Sequence, residues 1–282
     1  VLCATGFTVQ DLPMSAQQVV RRWAWLGTFV VGAALYLLVL AVLSDTDNPN
    51  LFPTMILLGA LVVPLTFVTF AAGRSGRWLI DGPTLGGSLL FGGVVGVVVA
   101  GLLEYDAMQR LGTLPMVGVG LIEEAAKLVI PIVLVVFFGS RYRHSIGGGI
   151  VIGVAVGTGF AVLETMGYAF VALLQSGGNV GAAEQTLFIR GLLSPAGHAA
   201  WTGLTCWGLW RFVVAPTGKR LLGFAGMYAL AVGLHTTWDG LGGRITYAVV
   251  GVISIGLLLL GLRHAQQQDN RLPAHAAVPN GE

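Results

Sequence analysis

The ionisable side chains that fall inside otherwise apolar stretches of this chain are few: Glu123, Glu124, Lys127, Glu164, His198, His235 and Asp239. Each is costly in hydrocarbon, at about 2.5–3.5 kcal/mol for a central Asp or Lys, so each needs a reason to be there. Glu123 and Lys127 stand at i,i+4 with the acid first, the favourable order for an ion pair. Adjacent Glu124 points about 100° away, so one carboxylate is paired and the other is left available. His235 and Asp239 are also at i,i+4, close enough for the carboxylate to reach an imidazole N–H and fix its tautomer. Two imidazoles among several carboxylates suit two hydrolytic chemistries. In one, His198, His235 and Glu164 hold a divalent ion such as zinc, and Glu123 removes a proton from water. In the other, Glu123 activates water directly while the histidines stabilise an oxyanion. Either set hydrolyses an amide. Three other readings compete: interhelical hydrogen bonds with no chemistry, a transporter or proton pathway, and a non-catalytic membrane scaffold.

The elements that must position these residues are membrane helices. Of 282 residues, 55% are hydrophobic and 10% charged, against roughly 25% charged in soluble domains. Mean hydropathy is +0.81. Glycine reaches 42 residues with no G-X-Y period, which excludes collagen and argues against disorder. A net charge of +2 with no basic stripe predicts no nucleic-acid partner. Cys3 and Cys206 are too few for a disulfide framework or a cysteine zinc site, and a lone Cys206 on an apolar helix is expected to be dispensable packing.

The expected fold is all-α, a polytopic bundle of about eight transmembrane helices. Apolar runs of spanning length fall at roughly 23–43, 51–72, 83–104, 114–138, 146–174, 191–214, 221–241 and 245–262. The division is a polar N-terminal segment over 1–22, one membrane domain over 23–262 and a polar tail over 263–282. Val1 reads as an alternative initiation codon with Met14 the competing start, and the first run reads as an anchor that is retained. Arg21, Arg22, Arg74, Arg77, Arg141, Arg143, Arg211, Lys219, Arg220, Arg263 and Arg271 lie on one side of such a bundle, and Arg110, Arg190 and Arg244 on the other. That bias predicts cytoplasmic termini, and Trp23, Trp25, Trp78 and Trp210 lie near the same inner interface.

Depth then separates a site from scattered polar contacts. With these spans and 1.5 Å per residue, Glu123, Glu164, His198 and His235 all reach a layer roughly 9–15 Å from the outer face. A relay would spread along the membrane normal instead. Pro131 and Pro195 should kink their helices beside this layer, because each clashes with the carbonyl four residues back. Gly149-x-x-x-Gly153-x-x-x-Gly157 should let a neighbouring helix approach the fifth span closely.

The blocks carrying these residues are Gly120-Leu-Ile-Glu123-Glu124-Ala-Ala-Lys127, Gly157-Thr-Gly159-Phe160-Ala-Val-Leu-Glu164-Thr-Met-Gly-Tyr168, Arg190-Gly-Leu-Leu-Ser-Pro195-Ala-Gly-His198 and His235-Thr-Thr-Trp-Asp239. In this order, over roughly residues 115–240, they resemble the PrsW family of intramembrane proteases, related to the CAAX prenyl-endopeptidase and bacteriocin-processing group. The resemblance implies hydrolysis of a peptide bond in a membrane-anchored protein substrate, a divalent metal such as zinc, and a place in the bacterial cell membrane. By it, Glu123 matches the catalytic glutamate; adjacent Glu124 is the next candidate for the base on the residues alone. Glu164, His198 and His235 match the other site positions, and Asp239 the polar residue that closes the last motif.

Overall fold

A computed structural model describes residues 14–74 and 80–270. Cys3, Arg77, Trp78, Arg271 and the Val1 start lie outside the described residues. The described chain is all-α: α1 (Met14–Thr46), α2 (Phe52–Ala72), α3 (Gly82–Leu111), α4 (Met116–Lys127), α5 (Val129–Phe137), α6 (Gly139–Tyr142), α7 (Ile146–Gln175), α8 (Val180–Leu193), α9 (His198–Val214), α10 (Gly218–Leu241) and α11 (Gly243–Asp269), with 3₁₀ turns at Pro49–Leu51 and Ser194–Ala196. Among the described residues, five helices are long and apolar enough to cross a membrane: α1 from Val19, α2 with its preceding turn, α3, α7 and α11. The chain is a polytopic helical membrane protein.

The expected fourth, sixth and seventh spans depart from uniform apolar rods, and these three carry most of the ionisable residues. The 114–138 run divides at Leu128 into α4 and α5. Pro131 has no N–H for the carbonyl of Lys127, and α4 stops at that residue. The 191–214 run does not begin a helix at 191. Where a kink was expected, Pro195 enforces a full interruption, and α9 starts only at His198. Ahead of it stands α8, a helix unforeseen in the sequence, started by Asn179 whose side chain accepts from the Gly181 N–H at 2.9 Å. In α10, His235 and Asp239 with their threonines dilute the apolar pattern.

At the centre of the bundle is α7, 94% of whose most apolar window is buried. It packs along α9, α3, α2 and α8. The glycine spacing works as expected, and α9 is the partner. Gly149 faces the Trp210 ring, Gly157 the His198 carbonyl, and a Cβ on Gly153 would lie 2.6 Å from both the Cys206 Cβ and the Thr202 carbonyl. On the opposite side a Cβ on Gly93 of α3 would lie 2.6 Å from the Gly159 carbonyl carbon. Backbones this close leave α7 little freedom to slide, which fixes the height of Glu164.

One end of the bundle is tied by polar contacts between helix termini. Arg21 of α1 donates to the Ala72 carbonyl at the end of α2 at 3.3 Å, and Gln266 of α11 to the Arg74 carbonyl. Arg141 pairs with Asp81 ahead of α3 at 2.6 Å. The Trp210 indole at the end of α9 donates to the Tyr142 carbonyl at 2.8 Å. The helix expected to end at 262 continues to Asp269, which is fully buried. Its carboxylate accepts from the Ser145 hydroxyl and from the Ile146 and Gly147 N–H groups, each at 2.9 Å. These are the donors that the start of α7 leaves without an intrahelical acceptor, so the last residue of α11 caps the central helix.

Candidate active site

The interruptions that spoil the spans are what deliver the reactive groups. Ending α4 at Lys127 puts Glu123, Glu124 and Lys127 on its last turn, and starting α9 at His198 puts that imidazole at a helix N-terminus. From the central helix comes Glu164, and from α10 come His235 and Asp239 one turn apart.

All of these side chains meet. Glu123 Oε2 lies 3.6 Å from His235 Nε2 and 3.9 Å from His198 Nδ1. Glu164 Oε2 lies 2.9 Å from His198 Nε2, and Asp239 Oδ2 lies 3.0 Å from His235 Nε2. The Nδ1 of His235 is 3.0 Å from Glu124 Oε1. In a neutral imidazole that donates there, the Nε2 lone pair faces Glu123 and Asp239. Lys127 is fully buried and bonds more closely to Glu124, at 2.7 Å, than to the i,i+4 partner Glu123, at 3.3 Å. Both carboxylates are therefore engaged with it. Its Nζ also stands 2.6 Å from His198 Nδ1 and 4.2 Å above the Phe160 ring.

Aromatic rings close the inner side. Trp201 stacks on His235 at 4.8 Å between centroids and meets His198 edge-on at 5.2 Å. Its own N–H is anchored to Ser254 at 2.9 Å. Ligand atoms of Glu123, His198 and His235 lie within 4.8 Å of one another. Glu164 stands outside that trio, on the far edge of His198.

Two partners were not singled out in the sequence. Arg190, counted there as an outer-loop charge, sits on α8, where it pairs with Glu164 at 2.7 Å and covers the Tyr168 ring at 3.9 Å. Glu104, at the end of the third apolar run, is half-buried and lies within electrostatic range of Glu164, His235 and Lys127. The signal for Arg190 was its place in the same block as His198; Glu104 gave none, since an acid at a span boundary is ordinary.

The donors fit a divalent ion. His235 Nε2 is buried and faces two carboxylate oxygens, Asp239 Oδ2 at 3.0 Å and Glu123 Oε2 at 3.6 Å. A buried imidazole nitrogen among carboxylates is an arrangement that a cation completes. Charge agrees: with its acids ionised, the cluster sets Glu123, Glu124, Glu164 and Asp239 against only Lys127 and Arg190. That leaves an excess of two negative charges in a place where uncompensated charge is expensive. Because Lys127 Nζ occupies the ring edge of His198 Nδ1, ion binding there and this Lys–His contact are mutually exclusive.

The fold and this site define a class: a polytopic membrane protein built round a buried carboxylate–imidazole centre able to hold a metal. The family description PrsW family intramembrane metalloprotease matches residues 82–262. The chain belongs to that family, and it is an intramembrane metalloprotease, a peptidase whose substrates are membrane proteins. No curated protein and no solved structure matches the chain.

Proposed function

We propose that the protein hydrolyses a peptide bond of a membrane-anchored protein in the outer half of the bilayer, with Glu123, His198 and His235 holding a zinc ion. The observation that carries this reading is the convergence of Glu123, His198 and His235, whose ligand atoms lie within 4.8 Å of one another. Each histidine has a carboxylate on its other nitrogen, Glu164 for His198 and Glu124 for His235, the support that ligating imidazoles commonly have. Glu164, expected from sequence as a ligand, takes the orienting role here, and so does Glu124. Mixed N/O donors suit zinc.

When bound, the ion supplies Lewis-acidic charge to a water and to the scissile carbonyl. The remaining work belongs to the side chains. Asp239, the most exposed acid of the cluster at 36%, takes a proton from the attacking water and passes it to the departing amine nitrogen. Lys127 balances Glu124 and Glu123 within the buried layer, and Trp201 with Phe160 keeps bulk water from the inner side. Glu123→Gln and Asp239→Asn, each reconstituted with a membrane-anchored reporter, should cut cleavage by about 10² or more while the protein stays inserted and folded. Near-normal cleavage by Glu123→Gln would remove the reading.

We propose further that the chain crosses the membrane eight times with both termini cytoplasmic, α4–α5 and α8–α9 each serving as one broken crossing. Supporting this, the polar ties at one end join the start of α1 to the end of α2, the start of α3 to α6, the start of α7 to the end of α11, and α11 to Arg74 just after α2. The basic residues gather at that end. A reporter fused after Glu282 should be active only in its cytoplasmic form; activity only outside would overturn the topology.

A further inference from the structure

Beside His198 lies a small cleft of about 60 Å³, walled by Thr165, Arg190, Leu193, Trp238 and Tyr247. Its remaining wall is the interruption between α8 and α9, including Ser194 and Gly197. No side chain caps α9. The first of its N–H groups with an acceptor ahead of the helix is that of Trp201, which reaches the Gly197 carbonyl at 3.0 Å. The N–H groups of His198, Ala199 and Ala200 are thus the orphan donors of a helix start, and Ala199 and Ala200 are fully buried. Together such donors carry roughly half a positive charge. A second, independent feature points the same way. Ser194 is only 6% exposed, and its Oγ has no hydrogen-bond partner among the described residues. A buried hydroxyl left unpaired is costly. Of these groups, Ser194 and His198 line the cleft, so its wall holds a hydroxyl with no acceptor and the first N–H of α9, next to Arg190.

We propose that Ser194 Oγ and the open N-terminus of α9 form the pocket for the scissile carbonyl oxygen, with Ser194 a further catalytic residue; this rests on the protease reading above. Peptide hydrolysis supplies the missing acceptor. As the water oxygen bonds to the carbonyl carbon, the C=O π pair moves onto oxygen, where the hydroxyl and the α9 N–H groups stabilise it. The pair then returns, the C–N bond breaks, and the amine nitrogen leaves with the proton taken from water.

The test compares wild type, Glu123→Gln, Ser194→Ala and Ser194→Thr on a membrane-anchored reporter peptide in proteoliposomes. Ser194→Ala should lower kcat by about 10²–10³ with KM nearly unchanged, and Ser194→Thr, which keeps the hydroxyl, should recover most of that loss. A phosphinate peptide, a tetrahedral anion, should bind Ser194→Ala more weakly by a similar factor, while an N-methylated, uncleavable peptide binds it as tightly as wild type. Unchanged kcat in Ser194→Ala, a threonine variant as impaired as the alanine one, or equal loss of affinity for both peptides would overturn the proposal. If instead Glu123→Gln cleaves normally, the protease reading fails; the phosphinate comparison still decides whether Ser194 binds a tetrahedral anion.

Discussion

Glu164 of α7 and His198 of α9 meet at 2.9 Å, across an interface where Gly157 lets the two helices come into backbone contact. The glycine repeat thus sets the distance between a carboxylate and the imidazole it supports. Glu164→Gln keeps the size of the side chain but removes its charge from His198 and from Arg190. Zinc affinity should fall about 10–100-fold, with the helical content intact, as measured by competition with a chelator. Unchanged affinity would deny Glu164 its orienting role. A loss as complete as that of His198→Ala would make it a ligand instead.

Asp269 predicts a stability effect far from the chemistry. Replacing it by Ala strips acceptors from Ser145, Ile146 and Gly147 at the buried start of α7. The cost should be on the order of 2–3 kcal/mol, since a lost cap is compounded by buried donors left unpaired. Unfolding in detergent measures it. A change below about 0.5 kcal/mol would show that the α7 start is satisfied in another way.

Asp81 predicts a pH dependence. Burial pushes its carboxyl up, but the backbone and side chain of Thr84 and the guanidinium of Arg141 outweigh that, holding it below the ordinary carboxylate range. A group depressed on folding stabilises the protein above its unfolded value, and that contribution is lost as pH falls through the folded one. The difference in melting temperature between wild type and Asp81→Asn should therefore be present at neutral pH and shrink below about pH 4. It should correspond to less than about 1 kcal/mol, because the pair is largely exposed. A difference that stays constant down to low pH would assign it to the cap alone.

Much of the site was legible because charge is rare in this chain. Glu123, Glu164, His198 and His235 stand out against apolar neighbours, and helical rise alone put them in one layer, where they meet. The Gly149, Gly153 and Gly157 repeat was legible for a related reason: only absent side chains let α9 come so near. Less visible were the interruptions. A proline in a membrane helix either kinks or breaks it, and sequence does not say which. Pro131 acted at the expected carbonyl, whereas Pro195 ended a helix that had looked continuous. α8 was hidden because Glu184, Gln185 and Arg190 give it the composition of a loop. Asp269 looked like part of a polar tail, since a cap supplied by a distant helix leaves no local signal. The division of roles between Glu123 and Glu164 depends on which nitrogen of each histidine faces which acid, and spacing carries no such information.

The central claim is that Glu123, His198 and His235 hold the ion, and metal analysis of purified protein tests it most directly. Wild type should retain about one zinc per chain, and Glu123→Gln and His198→Ala should each lose it while remaining inserted and folded. Asp239→Asn should keep the metal and lose cleavage. Full zinc occupancy in Glu123→Gln would contradict the assignment of Glu123 as a ligand, and wild type that cleaves its substrate at full rate after the metal is stripped would contradict the account as a whole.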